Sequence, residues 1–191
     1  KFYLESGFFA RKDNFVYAVN DVSFSVKRGK TYGIVGESGC GKTTVAKLLA
    51  GMYKGDSGKI IFNPQKNSSG MQNKSLIKYI FQDPARSLNP RMTVFTILTE
   101  GLRHSPLWPG KTQARKIAGD ILEETGLSRQ DLDKFPGEFS GGQRQRISIA
   151  RGLLCQPDLL ICDEVISALD VSIQEQILNL LQEIRQNRNL S

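Results

Sequence analysis

Cysteine and histidine are scarce in this sequence, which holds three cysteines and one histidine among 191 residues. The cysteine count is odd and no two cysteines form a CxxC pair, so the sequence predicts neither a disulfide framework nor a zinc site. A reducing, cytoplasmic setting is the simplest interpretation of this cysteine usage.

Long apolar runs and dense runs of charge are also missing. No stretch approaches the roughly 18 consecutive apolar residues that a membrane-spanning helix needs. The formal net charge is +7, and a basic chain can bind nucleic acid or an anionic membrane surface. Because the lysines and arginines are scattered and not interleaved with aromatic residues, we interpret them as solvated surface and expect no nucleic-acid partner.

What is present is the ordinary composition of one globular domain. Hydrophobic residues make up 39% and charged residues 24% of the chain, and the length is sufficient for one core with a small inserted lobe. There is no internal repeat. The class of protein is therefore a soluble globular domain, and its function has to be sought in its motifs.

Apolar patterns of the strand type and of the helix type alternate along the chain and predict an α/β fold. Strands are predicted over 17–26, 31–35, 59–62, 76–81 and 158–162. Helices are predicted over 43–52, 140–155 and 171–184. The polar segment 63–75 is predicted to be an exposed loop. The region from Val94 to about Leu132 is predicted to be helical, with Gly126 ending one of its helices.

The segment GESGCGKTT, residues 36–44, lies between the predicted strand 31–35 and the next helix. It fits the pattern G-x-x-x-x-G-K-[ST], in which backbone N–H groups wrap around phosphates. We expect Lys42 to contact the β- and γ-phosphates, Thr43 to offer its hydroxyl to Mg²⁺, and Thr44 to assist the phosphate contacts. The predicted phosphate-binding residues are Gly36, Glu37, Ser38, Gly39, Cys40, Gly41, Lys42, Thr43 and Thr44.

Two adjacent carboxylates follow an apolar strand in LLICDE, residues 159–164. Asp163 fits the carboxylate that helps to hold Mg²⁺ in phosphate-loop enzymes. Glu164 would then face the water that attacks the γ-phosphate, as a general base. An acidic pair after a strand is a weak signal by itself, because many strands end in acids. Together with the phosphate loop it predicts a site that hydrolyses a nucleotide.

A second glycine pair begins a helix in FSGGQRQR, residues 139–146, where Ser140 is a natural N-cap. One nucleotide rarely needs two separate cradles at helix N-termini, so this segment requires its own explanation. SGGQ, preceded by GESGCGKTT and followed by LLICDE, resembles the nucleotide-binding domain of an ABC ATPase. The resemblance covers most of the chain, although Phe139 stands where leucine is commonest in the family.

The resemblance implies an α/β fold with a P-loop NTPase core of the ABC type, an N-terminal antiparallel β subdomain and an inserted α-helical subdomain. We predict one ABC ATPase domain over 1–191, with the nucleotide-binding core in 1–93 and 140–191 and the helical subdomain in 94–139. The family carries a further histidine on a strand after the last helix seen here, whereas His104 lies far upstream. We therefore expect the chain to be C-terminally incomplete, which leaves open whether it hydrolyses ATP alone.

The resemblance also assigns roles to residues of the second cradle and its surroundings. Ser140, Gly141, Gly142 and Gln143 would bind the γ-phosphate of ATP held by a partner subunit. Gln82 is similar to the family's Q-loop glutamine, which touches Mg²⁺ and water and senses the membrane partner.

Two further positions follow from the same resemblance. The string Ser167 to Asp170 looks like the D-loop that links the two sites across the dimer. An aromatic residue ahead of the first strand commonly stacks on adenine in this family. Tyr17 is our candidate for that contact, and Phe15, Phe8 and Phe9 stay open as alternatives.

The segments 81–94, FQDPARSLNPRMTV, and 167–181, SALDVSIQEQILNLL, resemble the ATPases of oligopeptide, dipeptide and nickel importers. Arg91 and the string SALDVSIQ look more like the second of the two paired ATPases, while Val165 stands where that group usually has a proline.

The resemblance implies ATP and Mg²⁺ as cofactors. The implied partners are a second ABC ATPase subunit, two transmembrane permease subunits and, indirectly, an extracellular solute-binding protein. The implied location is peripheral, on the cytoplasmic face of the inner or plasma membrane.

Two other function classes stay open. The first is a soluble ABC ATPase that acts on DNA or ribosomes. DNA-repair types place coiled coils or zinc modules between the phosphate loop and SGGQ, and residues 45–138 hold neither, whereas translation types carry two cassettes in one chain. The second class is a nucleotide sensor without turnover, against which Glu164 beside Asp163 argues, because a pure binder needs no base.

Overall fold

The computed structural model describes residues 2–3, 15–62, 77–103, 108–167 and 169–191. The loop predicted over 63–75 lies outside these ranges, as do His104, Ala168 and the alternative aromatic residues Phe8 and Phe9.

Within these ranges, the sheet structure consists of two strand pairs. The short strands β1 (Phe2–Tyr3) and β2 (Phe15–Val16) pair antiparallel near the N-terminus. Strands β3 (Ile77–Ile80) and β4 (Leu159–Cys162) pair in parallel, with Ile77 opposite Leu159 and Ile80 opposite Cys162. Parallel strands end at the same edge of a sheet, so the residues that follow β3 and β4 come together there.

The helices follow the predicted helical pattern closely. They are α1 (Lys42–Leu49), α2 (Pro84–Ser87), α3 (Val94–Arg103), α4 (Lys111–Glu124), α5 (Gly141–Leu153) and α6 (Val171–Arg188). Two short 3₁₀ segments, Arg129–Asp133 and Pro136–Glu138, connect α4 to α5. No helix in the described part of the chain is both long enough and apolar enough to cross a lipid bilayer.

The end of α4 confirms the predicted stop at Gly126, which has a left-handed φ of 76°. The Leu127 N–H donates to the Leu122 carbonyl at 3.0 Å, and the Gly126 N–H donates to the Glu123 carbonyl at 2.9 Å. These two bonds satisfy carbonyls that the end of a helix leaves unpaired, in the arrangement known as a Schellman motif. Glycine is favoured here because it adopts this φ without a steric cost.

Helix α5 lies at the centre of the hydrophobic core and packs against α2, α3, α4 and β3. Its side chains Ile147, Ile149 and Leu153 are fully buried. The apolar stripe of α6 contributes Ile177 and Ile184 to the same core. Because α5 begins at the SGGQ segment, the core holds that segment at a fixed position relative to β3 and β4.

The strands predicted over 17–26, 31–35 and 59–62 are wrong in this structure, since those segments form no sheet ladder. Their alternating or apolar residues are left in part exposed, with Val35 at 95% and Ile61 at 78% exposure. A cleft of about 920 Å³ lies between the segments 22–26, 59–62 and the start of β4. An apolar pattern predicts which side chains suit burial, but a strand also needs a neighbouring backbone within hydrogen-bonding distance. The segments 22–26 and 59–62 face the cleft instead, and 31–35 pairs with none of the described strands.

Candidate nucleotide-binding site

The phosphate loop is a turn whose glycines are required by its shape. Gly39 and Gly41 have left-handed φ values of 81° and 98°. A Cβ at Gly41 would lie 2.2 Å from the carbonyl oxygen of Ala18, so the segment before the loop closes directly onto it. Helix α1 starts at the next residue, without a side-chain cap and without an acidic residue in its first turn. Its N-terminal N–H groups can therefore serve an anion.

Lys42 lies folded over this loop. Its ammonium donates to the carbonyl oxygens of Gly36 and Glu37, at 2.8 Å each, and lies 3.9 Å from the Cys40 sulfur. A Cβ at Gly36 would come within 2.6 Å of that sulfur, so the loop is tightly wound. The positive charge of Lys42 thus lies beside the N-terminus of α1. The helix macrodipole also attracts negative charge to this end, so both features favour the binding of an anion.

The hydroxyl group of Thr43, in the first turn of α1, reaches the acid that follows β4. It donates to Oδ1 of Asp163 at 3.1 Å. Asp163 is fixed through its backbone as well, because its N–H donates to the Ile80 carbonyl at the end of β3, at 3.2 Å. The structure thus joins the predicted phosphate loop to the predicted metal-binding carboxylate.

A third side chain in this cluster, Tyr79, was missed by the sequence analysis. The Tyr79 hydroxyl donates to Oδ2 of Asp163 at 2.5 Å. Burial raises the pKa of the Tyr79 hydroxyl above its ordinary value, and the hydrogen bond to Asp163 and the charge of that carboxylate raise this pKa further. Tyr79 therefore stays a protonated donor. The available signal was a hydroxyl-bearing ring inside a predicted strand, directly before Ile80 and Phe81.

Glu164 and Gln82, which follow the two parallel strands, also meet. The Gln82 amide donates to Oε2 of Glu164 at 2.6 Å, and both side chains are exposed. Glu164 has a left-handed φ of 49°, a conformation that costs a residue with a Cβ about 1–3 kcal/mol. The Ser167 N–H and hydroxyl both donate to the Glu164 carbonyl at 3.0 Å and hold this turn.

The second cradle is a capped helix start. The Gln143 N–H donates to the Ser140 hydroxyl at 3.3 Å, and the Ser140 N–H donates to Oε1 of Gln143 at 2.9 Å. Among the described residues, Gly141 faces Leu169 and Gly142 faces Ile173. A Cβ added at Gly141 would lie 3.7 Å from Leu169, and one added at Gly142 would lie 2.7 Å from Ile173. Leu169 lies before α6, and Ile173 lies within it. These contacts do not bring the cradle to the phosphate loop of the same chain.

The remaining predicted residues surround these contacts. Tyr17 is 54% exposed and packs edge-on against Phe15, with ring centroids 5.1 Å apart. It directly precedes Ala18, whose carbonyl lies against Gly41. Thr44 is half-buried in α1, whereas Glu37 and Ser38 are exposed in the loop, and Asp170 is exposed at the start of α6.

The donor set of the site fits a magnesium nucleotide. No cluster of three or more His, Cys, Asp or Glu side chains occurs among the described residues. Mg²⁺ does not require one, because it is commonly held by one or two protein oxygens together with substrate phosphates. Thr43 and Asp163 supply such oxygens beside the Lys42 ammonium, and the N-terminus of α1 supplies N–H donors for phosphate.

Comparison with known proteins finds relatives of one kind, which are transport ATP-binding proteins. The oligopeptide transport ATP-binding protein OppF of Bacillus subtilis (strain 168) is 44% identical over 182 residues, which are 92% of this chain and 60% of that protein. The probable D,D-dipeptide transport ATP-binding protein DdpF of Escherichia coli (strain K12) is 46% identical over 180 residues, covering 92% of this chain and 54% of that protein. The chain therefore spans 60% or less of the length of these two curated relatives.

A solved structure of cbiO1 from Clostridium perfringens, described as part of the ABC transporter complex cbiONQ, has a similar fold. It superimposes with a TM-score of 0.77 at 30% identity and covers 91% of this chain and 69% of that chain. The fold is accordingly the P-loop NTPase fold of ABC ATPase domains. The family model described as ABC transporter matches residues 19–167. On this match and on relatives at 44% and 46% identity, the chain belongs to the ABC transporter family.

Proposed function

We propose that the whole protein binds and hydrolyses ATP as a subunit of an ABC importer for oligopeptides, dipeptides or nickel and other metal complexes. The observation that carries the proposal is the hydrogen bond from Thr43 to Asp163, beside Lys42. It joins a phosphate-binding loop to a metal-binding acid at the carboxyl end of a parallel strand pair. The cargo class is supported by the curated relatives, which are named transport ATP-binding proteins for oligopeptides and for a D,D-dipeptide.

In this proposal the loop from Gly36 to Thr44 binds the phosphates of ATP. The Lys42 ammonium exchanges the carbonyl oxygens of Gly36 and Glu37 for the β- and γ-phosphates. A charge-assisted hydrogen bond to phosphate is stronger than one to a neutral carbonyl, which favours this exchange. Tyr17, next to the segment that closes onto Gly41, stacks on the adenine.

Thr43, Asp163 and Gln82 would hold Mg²⁺, which supplies neutralisation of the negative charge that develops on the phosphates. Glu164 is the general base. Its carboxylate takes a proton from a water as the water oxygen bonds to the γ-phosphorus and the bond from that phosphorus to the ADP oxygen breaks, which gives ADP and phosphate. The Gln82 amide, at 2.6 Å from the Glu164 carboxylate, orients this base.

The γ-phosphate of ATP held by a second ABC ATPase subunit would be bound by Ser140, Gly141, Gly142 and Gln143. Asp170 would link the two sites. SGGQ faces Leu169 and Ile173 rather than the phosphate loop of its own chain, which supports its assignment to the ATP of the other subunit. ATP then closes the dimer across both cradles.

We further propose the organisation predicted from the sequence, with a nucleotide-binding core in 1–93 and 140–191 and a helical subdomain in 94–139. The helices α3 and α4 and the two 3₁₀ segments within 94–139 support this division. The assembly contains two transmembrane permease subunits and receives cargo indirectly from an extracellular solute-binding protein. The ATPase subunit itself lies peripherally on the cytoplasmic face of the inner or plasma membrane.

Affinity purification of the tagged full-length protein from detergent-solubilised membranes tests this proposal. We expect two polytopic membrane proteins and an ABC ATPase to co-purify with it, and not with the tag alone. Recovery with ribosomes or DNA and without polytopic subunits would favour the soluble class of ABC ATPase and overturn the transport function.

A further inference from the structure

Both carboxylate oxygens of Asp163 accept a hydrogen bond from a side-chain hydroxyl. Oδ1 accepts from Thr43 at 3.1 Å, and Oδ2 accepts from Tyr79 at 2.5 Å. A carboxylate held from both sides cannot rotate about its terminal torsion without breaking one of these bonds, although that torsion is otherwise broad. The shorter of the two bonds comes from Tyr79.

Tyr79 reaches Asp163 because of the register of the parallel strands. Tyr79 lies opposite Ile161, and Asp163 is two residues further along the same chain. Side chains two residues apart lie on the same face of a sheet, so the long tyrosine ring spans this diagonal. Its partly buried ring packs on Phe81, with centroids 5.0 Å apart, and this contact steadies the hydroxyl.

We infer that Tyr79 is a positioning residue for magnesium, which keeps Oδ1 of Asp163 turned towards Thr43 and the metal of bound MgATP. The inference rests on the proposed function. By occupying Oδ2, the Tyr79 hydroxyl leaves only one oxygen of Asp163 for the metal side of the site. Loss of a side chain that orients a metal-binding group in this way typically lowers metal affinity by about 10- to 100-fold.

Tyr79→Phe in the full-length protein tests this role, because it removes the hydroxyl and keeps the ring. Binding of a fluorescent ATP analogue, mant-ATP, is titrated first in EDTA and then with increasing Mg²⁺. We expect unchanged metal-free affinity and a Mg²⁺ requirement shifted to concentrations about 10-fold higher. Tyr32→Phe is the matched control, since it removes one hydroxyl from a ring that stacks on Phe24 at 5.0 Å, away from Asp163.

The possible results separate the inference from the function on which it rests. A Mg²⁺ titration of Tyr79→Phe that coincides with that of the parent, with or without a lower melting temperature, would overturn the positioning role and leave the proposed function standing. A parent protein that binds no mant-ATP under any condition would overturn both. Circular dichroism of each variant establishes that it is folded.

Discussion

At the scale of single residues, the phosphate loop depends most on Lys42. Its ammonium donates to two backbone carbonyls, at 2.8 Å each. These bonds fold the charge over the loop, and binding of ATP replaces them with bonds to phosphate. The hydrogen bond from Gln82 holds the Glu164 carboxylate in place. The backbone of Glu164 is left-handed and places this side chain on a fixed turn.

Lys42→Ala should weaken binding of MgATP by about 10- to 100-fold, the effect of losing one hydrogen bond to a charged group. Isothermal titration calorimetry on the full-length protein measures it. Lys47→Ala is the control, because Lys47 lies on the same helix but near the Tyr53 ring, 5.6 Å from its centroid. Equal affinity of Lys42→Ala and the parent would refute the assignment of the phosphate loop.

Motifs within one short segment could be predicted at this scale, whereas contacts between segments could not. Lys42 and Thr43 follow directly from the string GESGCGKTT. The bond from Tyr79 to Asp163 joins residues 84 positions apart, and it depends on the register between β3 and β4. No local pattern fixes that register, because parallel strands are connected by long crossovers.

At the scale of elements, helix α5 combines two tasks. Its interior residues fill the core, and its first turn presents the SGGQ segment behind the reciprocal cap of Ser140 and Gln143. Gly142 has a structural task besides its proposed contact with phosphate. The absence of a Cβ there lets Ile173 of α6 pack against the first turn of α5.

Gly142→Ala should therefore destabilise the unliganded protein by about 1–3 kcal/mol, the usual cost of overpacking. The reason is the 2.7 Å approach of the new Cβ to Cγ2 of Ile173. Gly141→Ala is the matched control, since its Cβ would meet Leu169 at an ordinary 3.7 Å. Denaturant unfolding measures the difference. If Ile173→Ala fails to remove the penalty of Gly142→Ala, the clash is not its cause.

Helices were predicted better than strands, for a physical reason. The stripe of Ile173, Ile177 and Ile184 predicted α6 because a helix satisfies its own backbone within the segment. The helix continues past 184 to Arg188 and ends where Asn189 adopts a left-handed φ of 51°. The alternation in 17–26 has the strand period, but a strand requires a neighbour from elsewhere in the chain, which the sequence of that segment does not specify.

At the scale of the whole molecule, several long-range contacts join the elements that carry the site. Arg188 at the end of α6 makes a two-bond ion pair with Glu124 of α4. Arg151 of α5 donates to the Ser87 carbonyl of α2 at 2.7 Å, next to the segment that carries Gln82. This bond connects the segment after Gln82 to the helix that presents SGGQ.

Steady-state turnover of MgATP by full-length Glu164→Gln tests whether this site hydrolyses ATP with Glu164 as the base. We predict turnover lowered by about 100-fold or more, the scale of losing a general base, with mant-ATP affinity unchanged. Glu183→Gln, on the exposed surface of α6, should retain the parent rate. Turnover of Glu164→Gln within a few-fold of the parent would show that Glu164 is not the base.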